Sequence, residues 1–413
     1  MAKHPKDASA RRSNVRHGRQ HRSNAWMNGL RVVATTALVL VLSGVSVAAY
    51  AVWDLANKVQ TVDLGTKVPD AAQVGSEAVE GELNILLVGS DSRAGQSLDD
   101  GEEGELNDVT MLLHVSADHQ NATVISFPRD LMVPVPSCTG PEGEEDYYPA
   151  ASERQFNTTL GQGGLSCVVE TVSELTGLVI PYGGVVTFDG VINISNAVGG
   201  VDVCLTAPID DPYTGLVLPA GENTLVGVEA LQFLRTRHGV GDGGDTSRIS
   251  NQQIFMSSMV RKLKSAETLS DPMKVYGLAK AAVENMTLSS GFTSISMMQQ
   301  VASTLKNIDL NNINFVQFPN YTHPYQAGRL APDMASAQTM MDLLRAGQPI
   351  TVSATGEAVE VVGGEVAPVD PNAVAPVEGE PVEPVAPPAG ALPENITGQS
   401  AATVTCSQGR TQF

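Results

Sequence analysis

"LNILLVG", residues 83–89, is a short, largely apolar run closed by a glycine, and its length decides the class of the fold. Seven residues suit a buried strand and are too few for a helix, and the closing glycine feeds a loop. Two further runs follow, "VTMLLHVS" (109–116) and "ATVISFP" (122–128), separated by a stretch with hairpin-turn composition. Beyond them, "SCVVETVSELTG" (166–177) repeats apolar residues at helical spacing, "YGGVVTF" (182–188) reads as a strand, and "DGVINISNAVGG" (189–200) as a capped helix stopped by two glycines. The strand "VDVCL" and a loop over 206–224 lead to a helix near 227–236 and a longer one near 246–264, capped by Asp245 or Thr246. Helices near 272–287, 294–305 and 333–347, with a strand near 312–318, complete the reading. Strands alternate with helices, so the class is α/β, a sheet flanked by helices.

Charge divides the 413-residue chain unevenly. Its net charge is −20, yet residues 1–53 hold eight of the 25 Lys and Arg and only one acid, Asp7; the remainder carries 17 basic against 44 acidic residues, a balance of −27. Such a surface repels nucleic acid, whose binding depends on cations that neutralise phosphates. Val32 to Trp53 is a stretch of 22 residues without a charge. As a helix it is roughly 33 Å long, against a bilayer core of about 30 Å. A cleaved signal peptide is the alternative, but the run is long for one, and Tyr50 and Trp53 suit an interfacial anchor. The expected organisation is a basic cytoplasmic arm (1–31), a membrane helix (32–53), a spacer (54–80), a folded domain outside the membrane (81–348) and a Pro/Val/Glu-rich disordered tail (349–413). None of Cys138, Cys167, Cys204 and Cys406 has metal-ligand spacing. Export permits disulfides. Cys138 with Cys167 is the expected pair, and Cys204 with Cys406 follows only by elimination.

Charged residues gather where strands end. "GSDSR" (89–93) places Asp91 and Arg93 after the first strand, where α/β sheets form ligand crevices; an Asx-turn with a surface salt bridge is the alternative. Asp108 opens the next strand. If it converges with Asp91, the pair suits Mg²⁺ or Mn²⁺, hard ions that take oxygen ligands. Arg129 and Asp130 follow the third strand. In "RTRHGVGDGGDTSRISNQQ" (235–253), Arg235 and Arg237 lie two apart and can face one target only if the helix ends there and the chain extends. Arg248 and Gln252 share a face of the next helix. Three guanidiniums around a helix start describe a phosphate cradle. The alternatives are an internal network with Asp242, Asp245 and Glu229, or a calcium loop, whose ligand ladder is missing. No GxSxG, HExxH or Walker pattern occurs, and His114, inside a strand, reads as a core residue.

Taken in order, "NILLVGSDSR", "NDVTMLLHVSADHQNATVISFPRD", "FNTTLGQGG", "VETVSELTGLVIPYGGVVTFDG", "AVGGVDV" and "LRTRHGVGDGGDTSRISNQQ" resemble the LytR-CpsA-Psr family of cell-wall enzymes over roughly residues 82–265. The resemblance implies a central mixed sheet in an α-β-α sandwich. It also implies a plasma-membrane enzyme that transfers a glycopolymer from a polyprenyl diphosphate carrier to a peptidoglycan hydroxyl. By motif, Asp91 and Asp108 match the metal-binding aspartates, Arg129, Arg235, Arg237 and Arg248 the diphosphate-binding arginines, Gln252 the site glutamine, and Asp245 the acid before the last arginine. Arg93 would add to the diphosphate site, and Asp91 or a neighbouring acid would serve as base. Two positions depart from the pattern: Leu106 and Asn251 stand where many members carry arginine. The rival readings are a lipid-diphosphate pyrophosphatase or phosphatase, a carrier-binding protein without catalysis, and an envelope regulator acting as a transcriptional attenuator.

Overall fold

The structure, a computed structural model, describes residues 25–64, 79–93, 96–97, 104–140, 147–265, 272–292, 295–362 and 390–411. The basic arm as far as residue 24, most of the expected spacer (65–78) and the middle of the expected tail (363–389) lie outside the described residues. The chain divides into two units, Met1–Asp54 and Leu55–Phe413. In the first, the charge-free stretch lies within one helix, α1 (Ala25–Lys58). Its segment Trp26–Ser43 is long and apolar enough to cross a membrane.

The second unit is built on an eight-stranded mixed sheet. Its strands are β1 (Gln60–Val62), β2 (Leu83–Ser90), β3 (Asn107–Val115), β4 (Ala122–Phe127), β5 (Tyr182–Val186), β10 (Met286–Ser289), β11 (Ile313–Gln317) and β13 (Gly398–Ser400), in the spatial order β1-β10-β5-β2-β3-β4-β11-β13. The three runs read first from the sequence form its centre. β3 is antiparallel to both β2 and β4, while β2–β5 and β4–β11 are parallel.

Alternation along β2 fixes the two faces. Leu86 and Val88 enter one core with Leu112, Ile125 and Phe127, beneath α2 (Thr159–Thr176) and α8 (Met334–Arg345). Leu83 and Ile85 enter the other with Val115 and Phe315, beneath α7 (Ile295–Lys306). Period-two side chains buried on both faces are what a sheet between two helical layers requires. Each fully buried Leu or Ile contributes about 1.5–3 kcal/mol to this sandwich. His114, expected in the core, is buried there with Nδ1 2.7 Å from Asn84 Oδ1, and burial depresses its pKa.

A smaller sheet carries the rest. β6 (Val201–Leu205) pairs antiparallel with β9 (Gly221–Leu225) and parallel with β14 (Thr405–Ser407), which in turn pairs with β12 (Val359–Val361). The loop expected over 206–224 is therefore mostly strand: β7 (Ile209–Asp211) and β8 (Leu216–Leu218) form a hairpin before β9. On the helical side lie α3 (Phe188–Val198), α4 (Val228–Arg235), α5 (Asp245–Lys264) and α6 (Pro272–Asn285).

Two expected boundaries are corrected. The spacer contributes β1 to the main sheet and buries Leu64. The tail is disordered neither at its start nor at its end: β12, β13 and β14 extend both sheets, and Cys406 is bonded to Cys204. Its composition misleads because these short strands borrow a core that the domain has already built, and backbone ladders do not need apolar side chains of their own. Both disulfides form as paired in the sequence reading, Cys138–Cys167 and Cys204–Cys406. Gly163 makes room for the first, since a Cβ there would come within 2.5 Å of Cys167 Cβ and 2.6 Å of Cys138 Cβ.

The Cys204–Cys406 bond joins residues 202 apart, so it removes much freedom from the unfolded chain. The double variant Cys204→Ala/Cys406→Ala is expected to lose about 2–5 kcal/mol of stability in urea unfolding of the detergent-solubilised chain. Unchanged stability would show that β14 is held by its ladder alone.

Candidate functional site

One end of the main sheet gathers the charged residues because β2 and β4 leave the sheet where β3 enters it, with Ser90 opposite Asn107 and Phe127 opposite Thr110. Asp91, just beyond β2, is tied to the chain before β3: its amide donates to Leu106 O at 3.1 Å, and its Oδ1 accepts from Leu106 N at 2.7 Å. Asn107, wholly buried, accepts from Leu160 N and Thr159 Oγ1, both at 3.2 Å, and donates to Thr110 Oγ1. That side chain locks the start of β3 to the start of α2 and so fixes the position of Asp108.

Asp108 and Asp245 organise the arginines. Arg129 Nη1 donates to Asp108 Oδ1 at 2.6 Å. Arg248, 3% exposed, lies 2.7 Å from Asp245 Oδ1 through Nη2, 3.8 Å from Asp108 Oδ2 through Nη1, and donates to Asp108 O at 3.1 Å. Arg237 Nη2 is 3.2 Å from Asp245 Oδ1, and Arg129 Nε is 3.8 Å from the same oxygen. Each acid therefore serves more than one guanidinium, and Asp245 adds to this the favourable field of a helix N-terminus. The pKa of Asp108 is depressed: burial alone would raise it, but Arg248 and then Arg129 outweigh that. For Arg237 the balance is reversed, because burial and then Arg248 lower its pKa against the pull of Asp245.

Arg235 and Arg237 reach one target as the spacing required. α4 ends at Arg235, and Thr236 is extended (φ −61, ψ 137), with its Oγ1 donating to buried Asp211. α5 makes this ending possible. Asn251 Nδ2 donates to Phe233 O at 2.8 Å and Gln252 Nε2 to Leu234 O at 3.0 Å, so the carbonyls that a helix end leaves open are satisfied from the side. Asn251, a departure from the family pattern, thus has a structural task here. The cap of α5 differs from expectation: Gly244 holds that position, and Asp242 closes the turn by accepting from Gly244 N and Ser247 Oγ.

Two adjoining cavities share Asp108, Arg235 and Arg248. The polar one, about 220 Å³, also takes Arg129 and Arg237 from the predicted set, together with Asp211, Tyr213, Thr214 and His238, which the sequence reading missed. The other, about 270 Å³, is apolar: Leu87, Phe188, Phe255 and the thioethers of Met111, Met256 and Met286 wall it, with Gln252 beside them. Arg235 stands between, its guanidinium 4.6 Å over the Phe188 ring. Neither Asp91 nor Arg93 is among the described side chains lining these cavities. Both act at one remove: Asp91 is close enough to Asp108 for charge repulsion to assist burial in raising its pKa, and Arg93 partly offsets this.

The Asp91–Asp108 pair fits a divalent cation. Asp108, held ionised by Arg248 and Arg129, repels Asp91, and the two are oxygen donors that a hard ion would share. Among the described residues no group of three His, Cys, Asp or Glu forms, so further ligands would be phosphate oxygens and water. Asp130, expected beside Arg129, is engaged mainly elsewhere, by Arg329 at 2.8 Å and Gln155 at 2.7 Å.

The sequence profile of the LytR_cpsA_psr family matches residues 45–343, most of the chain, including every one of these site residues. The chain belongs to the LytR_cpsA_psr family. Among LytR_cpsA_psr relatives, the cell wall biosynthesis protein LcpA of Corynebacterium glutamicum is 31% identical over 323 residues, covering 70% of this chain and 59% of that protein. TagV of Bacillus subtilis, named a polyisoprenyl-teichoic acid–peptidoglycan teichoic acid transferase, is 25% identical over 270 residues, 64% of each chain. This chain therefore spans less than two thirds of either relative's length. The protein gbs0355 of Streptococcus agalactiae has a similar fold, with a TM-score of 0.52 at 20% identity over 65% of this chain and 88% of that one.

Asp245 is the counter-ion that lets three guanidiniums share one wall of the site. Asp245→Asn is expected to destabilise the protein by about 3 kcal/mol, the cost of leaving buried charges unpaired. Inorganic pyrophosphate should then raise the melting temperature of the variant more than that of the wild type. Equal melting temperatures without ligand would show that the arginines hold their places unaided.

Proposed function

We propose that this protein transfers a glycopolymer from a polyprenyl diphosphate carrier to a hydroxyl of peptidoglycan, forming a phosphodiester and releasing polyprenyl phosphate. The observation that carries the reading is the shared wall: an arginine-lined polar pocket opens against an apolar cavity, with Asp108, Arg235 and Arg248 in both. A molecule that spans both must join a multiply charged head to an oily chain. The apolar cavity suits an isoprenoid, and its methionines are adaptable walls for a flexible tail. The name of TagV supports the same substrate class.

The chemistry follows from where charge develops. The acceptor oxygen attacks the phosphorus that bears the sugar, the bond to the bridging oxygen breaks, and negative charge moves onto the leaving polyprenyl phosphate. Arg129, Arg237 and Arg248 are already oriented by carboxylates, so they meet that charge with little reorganisation. Bound diphosphate oxygens would take over contacts that Asp108 and Asp245 now make. Asp91 or a neighbouring acid would take the proton of the acceptor hydroxyl. Mg²⁺ or Mn²⁺ held by Asp91 and Asp108 would neutralise phosphate charge. The expected topology is a plasma-membrane protein anchored by α1, with the arm cytoplasmic and the catalytic unit outside; the arm's positive charge supports this orientation.

Arg129→Ala and Arg237→Ala are each expected to reduce transfer at least about a hundredfold while leaving the melting temperature near that of the wild type. The assay follows radiolabelled glycan from a polyprenyl diphosphate donor to peptidoglycan fragments. Full activity in both variants would remove the cradle from the mechanism, and free glycan phosphate as sole product would identify a hydrolase. For the cation, Mg²⁺ added to chelator-treated protein should raise the melting temperature of the wild type but not of Asp91→Asn; an equal rise in both would place the ion elsewhere.

A further inference from the structure

The polar pocket has a wall that the phosphate chemistry does not use. Tyr213 lines it from the turn of the β7–β8 hairpin and is 76% exposed, unusual for a large aromatic on a cavity wall. One side of its ring is covered by His238, with the centroids 4.5 Å apart and the planes tilted by 39°. The turn is held firmly. Buried Asp211 accepts from Tyr213 N at 2.9 Å through its side chain and from Gly215 N at 2.8 Å through its carbonyl, and its second carboxylate oxygen accepts from Thr236 Oγ1. Beside it Thr214 also lines the pocket, and its hydroxyl, shielded from solvent, has no hydrogen-bond partner in the protein.

We propose that Tyr213, with His238 and Thr214, is the subsite for the first sugar of the donor, the one carried on the phosphate distal to the lipid. The inference rests on the functional reading above and adds to it the place where the glycan leaves the diphosphate. Three observations lead there. The apolar cavity fixes the side on which the lipid lies, since it shares Asp108, Arg235 and Arg248 with the polar pocket, and Tyr213, Thr214 and His238 line only the latter. An aromatic ring on a firmly held turn, backed by His238 and with its other face open, stacks on the C–H face of a pyranose as aromatics do at binding surfaces. The Thr214 hydroxyl next to it lacks a partner, and a side-chain rotation toward the pocket would offer it to a sugar hydroxyl. The position after Arg237 also matters: Arg237 and His238 are consecutive, so one extended segment presents a phosphate ligand and then a wall of the sugar site.

The test measures binding to the full chain in detergent micelles of two probes, farnesyl diphosphate and the same lipid with N-acetylglucosamine on its distal phosphate. Tyr213→Ala is expected to weaken the sugar-bearing probe about tenfold, the loss of one stacking contact, and to leave farnesyl diphosphate unchanged. Tyr213→Phe and Tyr213→Trp should bind both probes as the wild type does. Equal loss on both probes, or no loss on the sugar-bearing one, overturns the subsite; the second result would also be seen if the ring served the acceptor. Failure of wild-type protein to bind either probe is distinct from these, and would remove the diphosphate reading together with the subsite.

Discussion

Like charges do not gather without a reason, and this site exists because two carboxylates make it tolerable for several guanidiniums to share a pocket. Asp108 bridges Arg129 and Arg248; Asp245 bridges Arg248, Arg237 and Arg129. On the proposed function, phosphate oxygens would meet the same guanidinium donors that these acids now engage. A ligand with more negative charge than one carboxylate can compete for the same donors, and it finds them already turned toward it. The network is thus a stabilising device and, on the proposed function, would be a preorganised receptor as well. Both carboxylate oxygens of Asp245 are buried without well-aligned hydrogen bonds although the arginines are close, so its contact with them is chiefly one of charge. Such contacts can be exchanged without breaking a tightly directional bond.

The sheet supplies the placement. Three strands with alternating direction bring two exits and one entrance to the same edge, and Asp91, Asp108 and Arg129 stand at those points. The remaining arginines come from the end of α4 (Arg235), the segment after it (Arg237) and α5 (Arg248); nine residues lie between the two helices, which share a hydrogen-bonded join through Asn251 and Gln252. Gln252 therefore affects the site through the chain it holds as well as through its place on the apolar cavity. A substitution there would shift Arg235 and Arg237 before it altered any contact with a ligand.

Much of this was legible in the sequence, for identifiable reasons. Buried strands such as 83–89 and 122–127 advertise themselves by length and apolarity, and acids or arginines directly after them stand out against such a background. The arginine spacing at 235 and 237 required a helix end, and the structure has one. What stayed hidden depends on tertiary pairing. Gln60–Val62 and Gly398–Ser400 are edge strands with no pattern of their own, readable only once the strands they join are known. Tyr213 and Asp211 lay in a segment rich in Asp, Pro and Gly that composition assigns to a loop, although its hairpin is set by the buried Asp211 carboxylate. That carboxylate carries no local sequence signal, since its partner Thr236 is 25 residues away.

The end of the chain shows how far such pairing extends toward the chemistry. Arg410 N donates to Gly239 O at 2.8 Å, its carbonyl accepts from Asp210 N, and its guanidinium reaches Asp242 O at 2.7 Å. Gly241 N also donates to Gln408 O. Residues 408–410 thus brace three neighbours at once: the hairpin that presents Tyr213, the segment after Arg237, and the turn that starts α5. Gly239 must be a glycine for this fit, because a Cβ would come within 2.7 Å of both Ile209 Cγ2 and Thr236 Oγ1. The brace is itself fastened to β6 by the Cys204–Cys406 bond and the ladder beside it. The disulfide therefore does more than staple a distant segment. It fixes the strap against which the arginine loop rests, so the geometry around Arg237 depends on a disulfide, a bond that oxidising compartments favour.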